Sequence, residues 1–287
     1  MKSYRKIYTG KVRSIYENTI NTNLLLMKAT DRLSCFDRYI CDIPYKGIVL
    51  NKISIWWFNK TKNDVPNHFL KERNNDEMIV KRTKPFPIEF IVRKYMTGTT
   101  NTSIWKNYEV GCRRYCGNTL RDDYRKNEKL DKTILTPTTK GFKDELIDEH
   151  TIISNKIMTE EEWNICKNYS LKLFEIGEKI ALEKGLILVD TKYEFGKDEF
   201  GNILLIDELH TPDSSRYWIS ETYLSNFENG MEPDNIDKDI IRKNIIKRYD
   251  PYEPCKIDIS SDLIEKTYQR YIKLLTVFTG LTIVDII

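Results

Sequence analysis

Asp190, Lys192 and Glu194 alternate within the run DTKYEFG, and Asp207 and Glu208 open the run DELHTPDSSRYW. In an extended chain alternate side chains share a face, roughly 6.6 Å apart, so the first three would line one surface. Leu186–Val189 and Ile203–Ile206 are short apolar runs, and the polar KDEFGN between them favours a turn, which together predict a β-hairpin. The returning strand brings Asp207 back to within a ladder step or two of Glu194. Two carboxylates on facing strands suit a magnesium ion carrying substrate phosphates, because Mg²⁺ takes oxygen ligands and commonly one or two carboxylates. Lys192 between the acids suits an anionic ligand. Charges beside a hairpin also make an ordinary solvated face, and a D-x-K-x-E pattern alone is compatible with both.

Several other elements must hold that hairpin. Thr159 to Lys184 predicts a helix that feeds it directly. Thr159 and Glu162 form a capping box, Trp163, Cys166, Tyr169, Leu173, Ile176 and Ile180 repeat at helical spacing, and Gly185 suits the residue after the last turn. Tyr4 to Ala29 predicts strands, with a hairpin whose first strand starts at Gly10-Lys11, where the lysine could place a point charge on phosphates. The pattern G-x-x-x-x-G-K-[ST] of a P-loop is missing, as is the G-x-G-x-x-G of kinases. Lys52 to Lys60 predicts a helix with Ile53, Trp56 and Trp57 inward. Met78–Val80 and Glu89–Val92 predict strands, with Pro85 and Pro87 between them. Arg93 directly after the second is suited to grip a phosphate or carboxylate in bidentate fashion. Residues 112–135 mix basic and acidic side chains and predict a surface insertion. Residues 260–287 predict a C-terminal helix and an apolar tail.

Composition narrows the class. The chain has 287 residues, 40% hydrophobic and 31% charged, as expected of a soluble globular protein of one large or two modest domains. A net charge of +3 gives no reason to invoke a nucleic-acid partner. MKSYRKIYTG lacks the apolar segment of a secretory signal, and no run approaches the roughly 20 apolar residues of a membrane span. A reducing, cytoplasmic setting without disulfides is therefore expected for Cys35, Cys41, Cys112, Cys116, Cys166 and Cys255. Cys112 and Cys116 have no histidine nearby, so no zinc pattern forms, and no G-x-S-x-G marks a serine hydrolase.

The order DTKYEFG, hairpin, DELHTPDSSRYW resembles the signature of the phosphoribosylaminoimidazole-succinocarboxamide synthases (SAICAR synthetases), ligases of the purine pathway. Further blocks occur in that family's order: GKVRSIYE, TDRLSCFD with IPYKGIVLNKISIWWF, VRKYMTGTTNTSIWKNYEVG, TPTTKGFKDE and, more weakly, NGMEPDNIDKDIIRKNI. Cys35 stands where the family usually has alanine, Thr99 where serine is frequent and Lys143 where histidine is usual. The resemblance implies an α+β fold, with a small N-terminal antiparallel β domain (residues 1–86) that carries the Gly-Lys loop. A larger α+β ATP-binding domain (residues 87–287) would carry the metal and substrate sites.

It further implies that 5-amino-1-(5-phosphoribosyl)imidazole-4-carboxylate (CAIR) is joined to L-aspartate with MgATP through an acyl phosphate. Gly10, Lys11 and Arg13 would cover the ATP phosphates, and Glu194 and Asp207 would hold Mg²⁺. Arg93, Thr99, Asp190, Lys192 and Arg216 would contact the ribotide, with Ser103 an alternative hydroxyl and Lys238 on the phosphate. Asp190, Lys192 and Arg216 would form the catalytic set, and Asp37 and Lys140 are candidates for the aspartate site. A small-molecule kinase or another ligase on the same fold, or a nucleotide-binding regulator without catalysis, stays open at this stage. Monomer and homo-oligomer are equally compatible with the sequence.

Overall fold

The computed structural model describes residues 3–141, 144–253 and 255–287. A five-stranded antiparallel sheet is ordered β1-β2-β3-β7-β6, from β1 (Tyr4–Thr9), β2 (Arg13–Asn18), β3 (Leu24–Ala29), β6 (Phe69–Asn74) and β7 (Glu77–Lys81). The first strand therefore begins at Tyr4, and Gly10 to Val12 form the turn between β1 and β2, closed by the Gly10 N–H on the Arg13 carbonyl at 2.7 Å. β1 is mostly exposed and lacks apolar alternation, which is why its start is hard to read.

β4 (Arg32–Cys35) and β5 (Arg38–Asp42) pair as a separate hairpin. Its central residues Phe36 and Asp37 both have positive φ, 53° and 60°, as a tight two-residue hairpin turn demands. Helix α1 (Lys46–Thr61) starts about 1.7 turns ahead of the expected Lys52. Its first turn is satisfied from outside, since Asp31 Oδ1 accepts the Gly47 N–H at 2.9 Å. A Cβ on Gly47 would lie 2.9 Å from the Ala29 carbonyl oxygen, so the helix can approach β3 this closely only with glycine there. Ile53 and Trp57 are fully buried, while Trp56 is only partly so.

The second sheet has seven strands: β8 (Lys84–Pro85), β9 (Ile88–Tyr95), β12 (Lys129–Leu135), β13 (Thr138–Thr139), β14 (Leu186–Lys197), β15 (Ile203–Ile206) and β16 (Ser215–Ile219). Arg93 thus lies within a strand rather than after one. Its centre is β14, whose twelve residues pair antiparallel with β16, β9, β15 and β8 in turn. Between β9 and β12 lie α2 (Ile104–Glu109) and the small pair β10 (Arg114–Tyr115) and β11 (Asn118–Thr119). This stretch is not a bare surface insertion: Met96, Ile104, Tyr108, Tyr115, Leu120, Tyr124, Leu130 and Ile134 form a core of their own.

α3 (Glu149–Ser154) and α4 (Glu160–Glu183) precede β14, and α5 (Ser220–Glu228), α6 (Asp239–Arg248) and α7 (Ser261–Thr279) follow β16. The capping box of α4 forms as expected, with Thr159 Oγ1 accepting the Glu162 N–H and Glu162 accepting the Thr159 N–H, an arrangement worth about 1 kcal/mol. Gly185 after α4 has φ 73°, the left-handed closing position. The main core runs unbroken from β3 and α1 through β9, α4 and β14 to α7, and includes Trp57, Phe90, Trp163, Phe195, Tyr271 and Phe278. The apolar tail returns to it at Ile286, whose carbonyl accepts from Asn75 Nδ2 at 2.7 Å. No helix among the described residues is long and apolar enough to cross a membrane.

His68 and His210 are buried in this core, and burial lowers each from the ordinary 6.5 to about 3. Their neutral form is favoured by the fold, so stability is full above the unfolded value near 6.5 and is lost as pH falls towards 3. We expect each to cost about 2–3 kcal/mol of stability by about pH 4.5. Proton NMR of the folded protein checks the cause: neither imidazole should titrate between about pH 5 and 8, and a midpoint near 6.5 for either would refute its buried state.

Candidate active site

β14 and its neighbours bring the predicted acids and bases to one surface. Glu194 pairs with Ile206 across the β14–β15 ladder, so Asp207 follows one step later. β15 ends there because Asp207 takes a left-handed backbone, φ 66°, a conformation aspartate tolerates better than most residues. Asp190 stands opposite Arg216 of β16 and opposite Arg93 of β9. Its Oδ2 accepts from Arg216 Nη1 at 2.9 Å and from Arg93 Nη1 at 3.2 Å. Arg93 also donates to Thr136 Oγ1 at 2.9 Å and to the Thr102 carbonyl at 3.3 Å. Both guanidiniums are therefore fixed in place, yet Arg216 Nε is buried with no hydrogen-bond partner among the described residues.

Lys192 continues the same face of the strand. Its Nζ lies 2.7 Å from Glu89 Oε1 and 3.2 Å from Glu194 Oε1, and Lys140 pairs with the other Glu194 oxygen. Burial opposes the charge on Lys192, but Glu89 and Glu194 outweigh it and raise the ammonium well above its ordinary value. Burial likewise works to raise Glu194, but Lys192 and Lys140 hold it down at about 2. Asp207 goes the other way. Burial pushes it up to about 6, with Glu194 and Glu208 adding to the rise against the pull of Arg13. Arg13 is buried and bridges Asp207 Oδ1 at 3.1 Å and Glu208 Oε2 at 2.7 Å. One cation thus serves two carboxylates, with Glu194 close by. Glu194, on the facing strand, is the acid that could share a divalent cation with Asp207.

The remaining predicted residues are distributed around this centre. Lys11, on the β1–β2 turn, pairs with Asp37 on the β4–β5 turn, and both are about half exposed. Thr99 Oγ1 is buried without a partner among the described residues, whereas Ser103 donates to the Thr100 carbonyl at 2.7 Å. Gly98 makes that turn possible: its φ is 115° and a Cβ there would sit 2.4 Å from Ser103 Cβ. Lys238, immediately before α6, is buried, its Nζ 3.7 Å from Asp213 Oδ1. Lys143 lies outside the described residues. Asp144 is half-buried and is raised to about 6 by burial, Glu89 and Asp37.

The fold is that of a family already solved. The family model described as SAICAR synthetase matches residues 6–256. The chain belongs to the SAICAR synthetase family. A phosphoribosylaminoimidazole-succinocarboxamide synthase of Legionella pneumophila (strain Paris) is 46% identical over 279 residues, 96% of this chain and 88% of the relative. The SAICAR synthase of Saccharomyces cerevisiae, solved in complex with SAICAR, superposes with a TM-score of 0.82 at 30% identity, covering 97% of this chain and 96% of that one. A SAICAR synthetase in complex with ADP shares the fold, with a TM-score of 0.72 at 23% identity over 96% of this chain and 99% of that one.

In this SAICAR synthetase family member Glu89 and Glu208 join the site without a role expected from the sequence. Glu89 and Arg93 share a face of β9, so strand alternation carried the signal for it. The buried ion pair of Lys46 and Asp213, at 2.7 Å, is likewise not expected from the sequence. A lone lysine in IPYKG gives no local sign of burial. The Arg13 bridge yields a direct prediction. Arg13→Met would leave Asp207 and Glu208 buried without their cation and should lower unfolding free energy by about 3–5 kcal/mol. Urea denaturation checks this, and a loss under about 1 kcal/mol would show that the acids have other support.

Proposed function

We propose that this protein joins CAIR to L-aspartate at the expense of ATP, giving SAICAR, ADP and phosphate, as a ligase of purine biosynthesis in the cytoplasm. The observation that carries the reading is the strand-borne constellation on β14. Asp190 between two arginines and Glu194 between two lysines stand on one face, beside an acid pair in which Asp207 is only partly compensated. Three anionic substrates have to be bound together, and positioning and charge neutralisation are what such phosphoryl-transfer chemistry requires of a protein.

The chemistry follows from the weakness of a carboxylate as an acyl donor. A carboxylate oxygen of CAIR attacks the γ-phosphorus and ADP leaves. The aspartate amine then attacks the acyl carbon of the resulting acyl phosphate, phosphate departs and the nitrogen loses a proton. Mg²⁺, held by Glu194 and Asp207, would neutralise the phosphate oxygens. Gly10, Lys11 and Arg13 would serve the ATP phosphates, Lys11 as a charge on the turn and Arg13 by steadying Asp207 and Glu208. Arg93, Asp190, Lys192 and Arg216 would orient the ribotide, with Arg216 Nε and Thr99 Oγ1 as donors in want of an acceptor. Ser103 is the second hydroxyl on that turn, and Lys238 would take the phosphate. Asp37 and Lys140 are assigned to the amino-acid side of the site. In the same reading the chain divides at residues 86 and 87 into a phosphate-covering unit and a substrate-binding unit.

ADP release from MgATP, with CAIR and L-aspartate each added and omitted, tests the proposal. Release that needs both, with a product heavier than CAIR by one aspartate minus water, is expected. ATP binding without release under any condition would overturn it. Glu194→Gln and Asp207→Asn should each abolish turnover and MgATP binding, and wild-type turnover in both would refute the metal assignment. For Arg216→Ala, steady-state kinetics should show the KM for CAIR raised by about tenfold or more, as expected for one lost charge-assisted contact, with the KM for ATP little changed.

A further inference from the structure

Lys46 and Asp213 form a buried ion pair that has no task in the proposed reaction. Lys46, the first residue of α1, is 0% exposed. Its Nζ lies 2.7 Å from Asp213 Oδ2 and donates to the Arg32 carbonyl at 2.9 Å. Asp213 Oδ1 accepts from the Tyr271 hydroxyl of α7 at 2.5 Å. The same oxygen lies 3.7 Å from Lys238 Nζ, an ion-pair distance too long for a hydrogen bond. Asp213 thus has one close cation and one loose one. Burial would raise its carboxyl, but Lys238 and Lys46 outweigh this and hold it well below the ordinary carboxylate range.

Stability alone is a poor reason for such a cluster, because a buried ion pair is often no better than packed apolar side chains. Its position supplies another reason. Asp213 sits in the loop from β15 to β16, between Asp207 and Glu208 at the start and Arg216 just beyond its end. Each of those is tied elsewhere, to Arg13 and to Asp190. Lys238, by contrast, faces a carboxylate whose close ion pair is with another lysine, Lys46.

We infer that Lys46 is a positioning residue for the ligase reaction: it neutralises Asp213 and so leaves the Lys238 ammonium available to the anionic ribotide. The inference rests on the assignment of Lys238 to that substrate. Without Lys46, the buried Asp213 carboxylate would draw Lys238 into a close pair and withdraw it from the ligand. Asp213→Asn in the same chain removes the acid that would capture Lys238, and the Asn oxygen can still accept from Tyr271.

The test compares wild type, Lys46→Met and the double variant Lys46→Met/Asp213→Asn. CAIR binding is measured by calorimetry without ATP, and KM values for CAIR and ATP in turnover. Lys46→Met should weaken CAIR binding and raise its KM by about tenfold, the loss of one charge-assisted contact, while the KM for ATP stays within about twofold. The double variant should bind CAIR within about threefold of wild type. Unchanged CAIR binding in Lys46→Met, or an equal rise in both KM values, would overturn the inference. Should Lys46→Met fail to fold, the double variant decides alone, since tenfold weaker CAIR binding there would show that Lys46 does not act through Asp213. Calorimetry separates this from the proposed activity: a wild type that binds CAIR but never releases ADP refutes the ligase reading and leaves the Lys46 comparison intact.

Discussion

A carboxylate taken out of water must find a counter-charge, and in this protein that requirement governs how the elements meet. Asp190, Glu194 and Glu208 are all buried. Asp190 is matched by arginines from β9 and β16, Glu194 by lysines from β14 and the segment after β13, and Glu208 by an arginine of β2. The strands cannot shift register without stranding one of these charges. A slip of one residue along β14 would also turn Asp190 and Glu194 to the opposite face. At Asp207, beside these three, compensation is weaker, and burial pushes its carboxyl up to about 6.

Local backbone geometry sharpens the arrangement. Asp207 and His210 both have positive φ, 66° and 53°, and a non-glycine residue persists there only when its surroundings insist on it. For His210 the insistence is visible. Its Nε2 faces the Leu173 carbonyl at 3.2 Å, its own carbonyl accepts from the Tyr217 hydroxyl at 2.8 Å, and its ring lies so close to α4 that a Cβ on Gly177 would come within 2.6 Å. The loop that bears the acids is thus anchored on the side of α4 as well as on the side of α1, which is the support a preorganised site needs.

The parts legible from sequence were those set by near neighbours. The alternation of Asp190, Lys192 and Glu194, the hairpin that returns Asp207 and the capped helix before it all depend on local periodicity or turn chemistry. What escaped was set by distant contacts. That Arg93 and Arg216 share one oxygen of Asp190 cannot be read from either neighbourhood. Segment 112–135 looked like surface because its charges outnumber its apolar residues, yet Arg113 and Arg121 lie over the rings of Tyr108 and Tyr124. Their stems and planes cover a tyrosine core while their outer edges pair with exposed aspartates. The burial of Lys46 depends on Asp213 and has no signature in its own segment.

The span of the Arg13 bridge has a consequence for how the protein comes into being. Arg13 and Asp207 are 194 residues apart, and Arg93 and Asp190 are 97 apart. As the chain leaves the ribosome from its N-terminus, the first sheet can close before β14 exists, but the cations of the site then have no acids to meet. The central strand must enter between β9 and a β16 made after it, so the surface of the site acquires its partners only late in synthesis. Contacts of such long sequence separation are the slow ones to form, and a nascent chain halted before residue 207 would hold a folded rim around an unfinished centre.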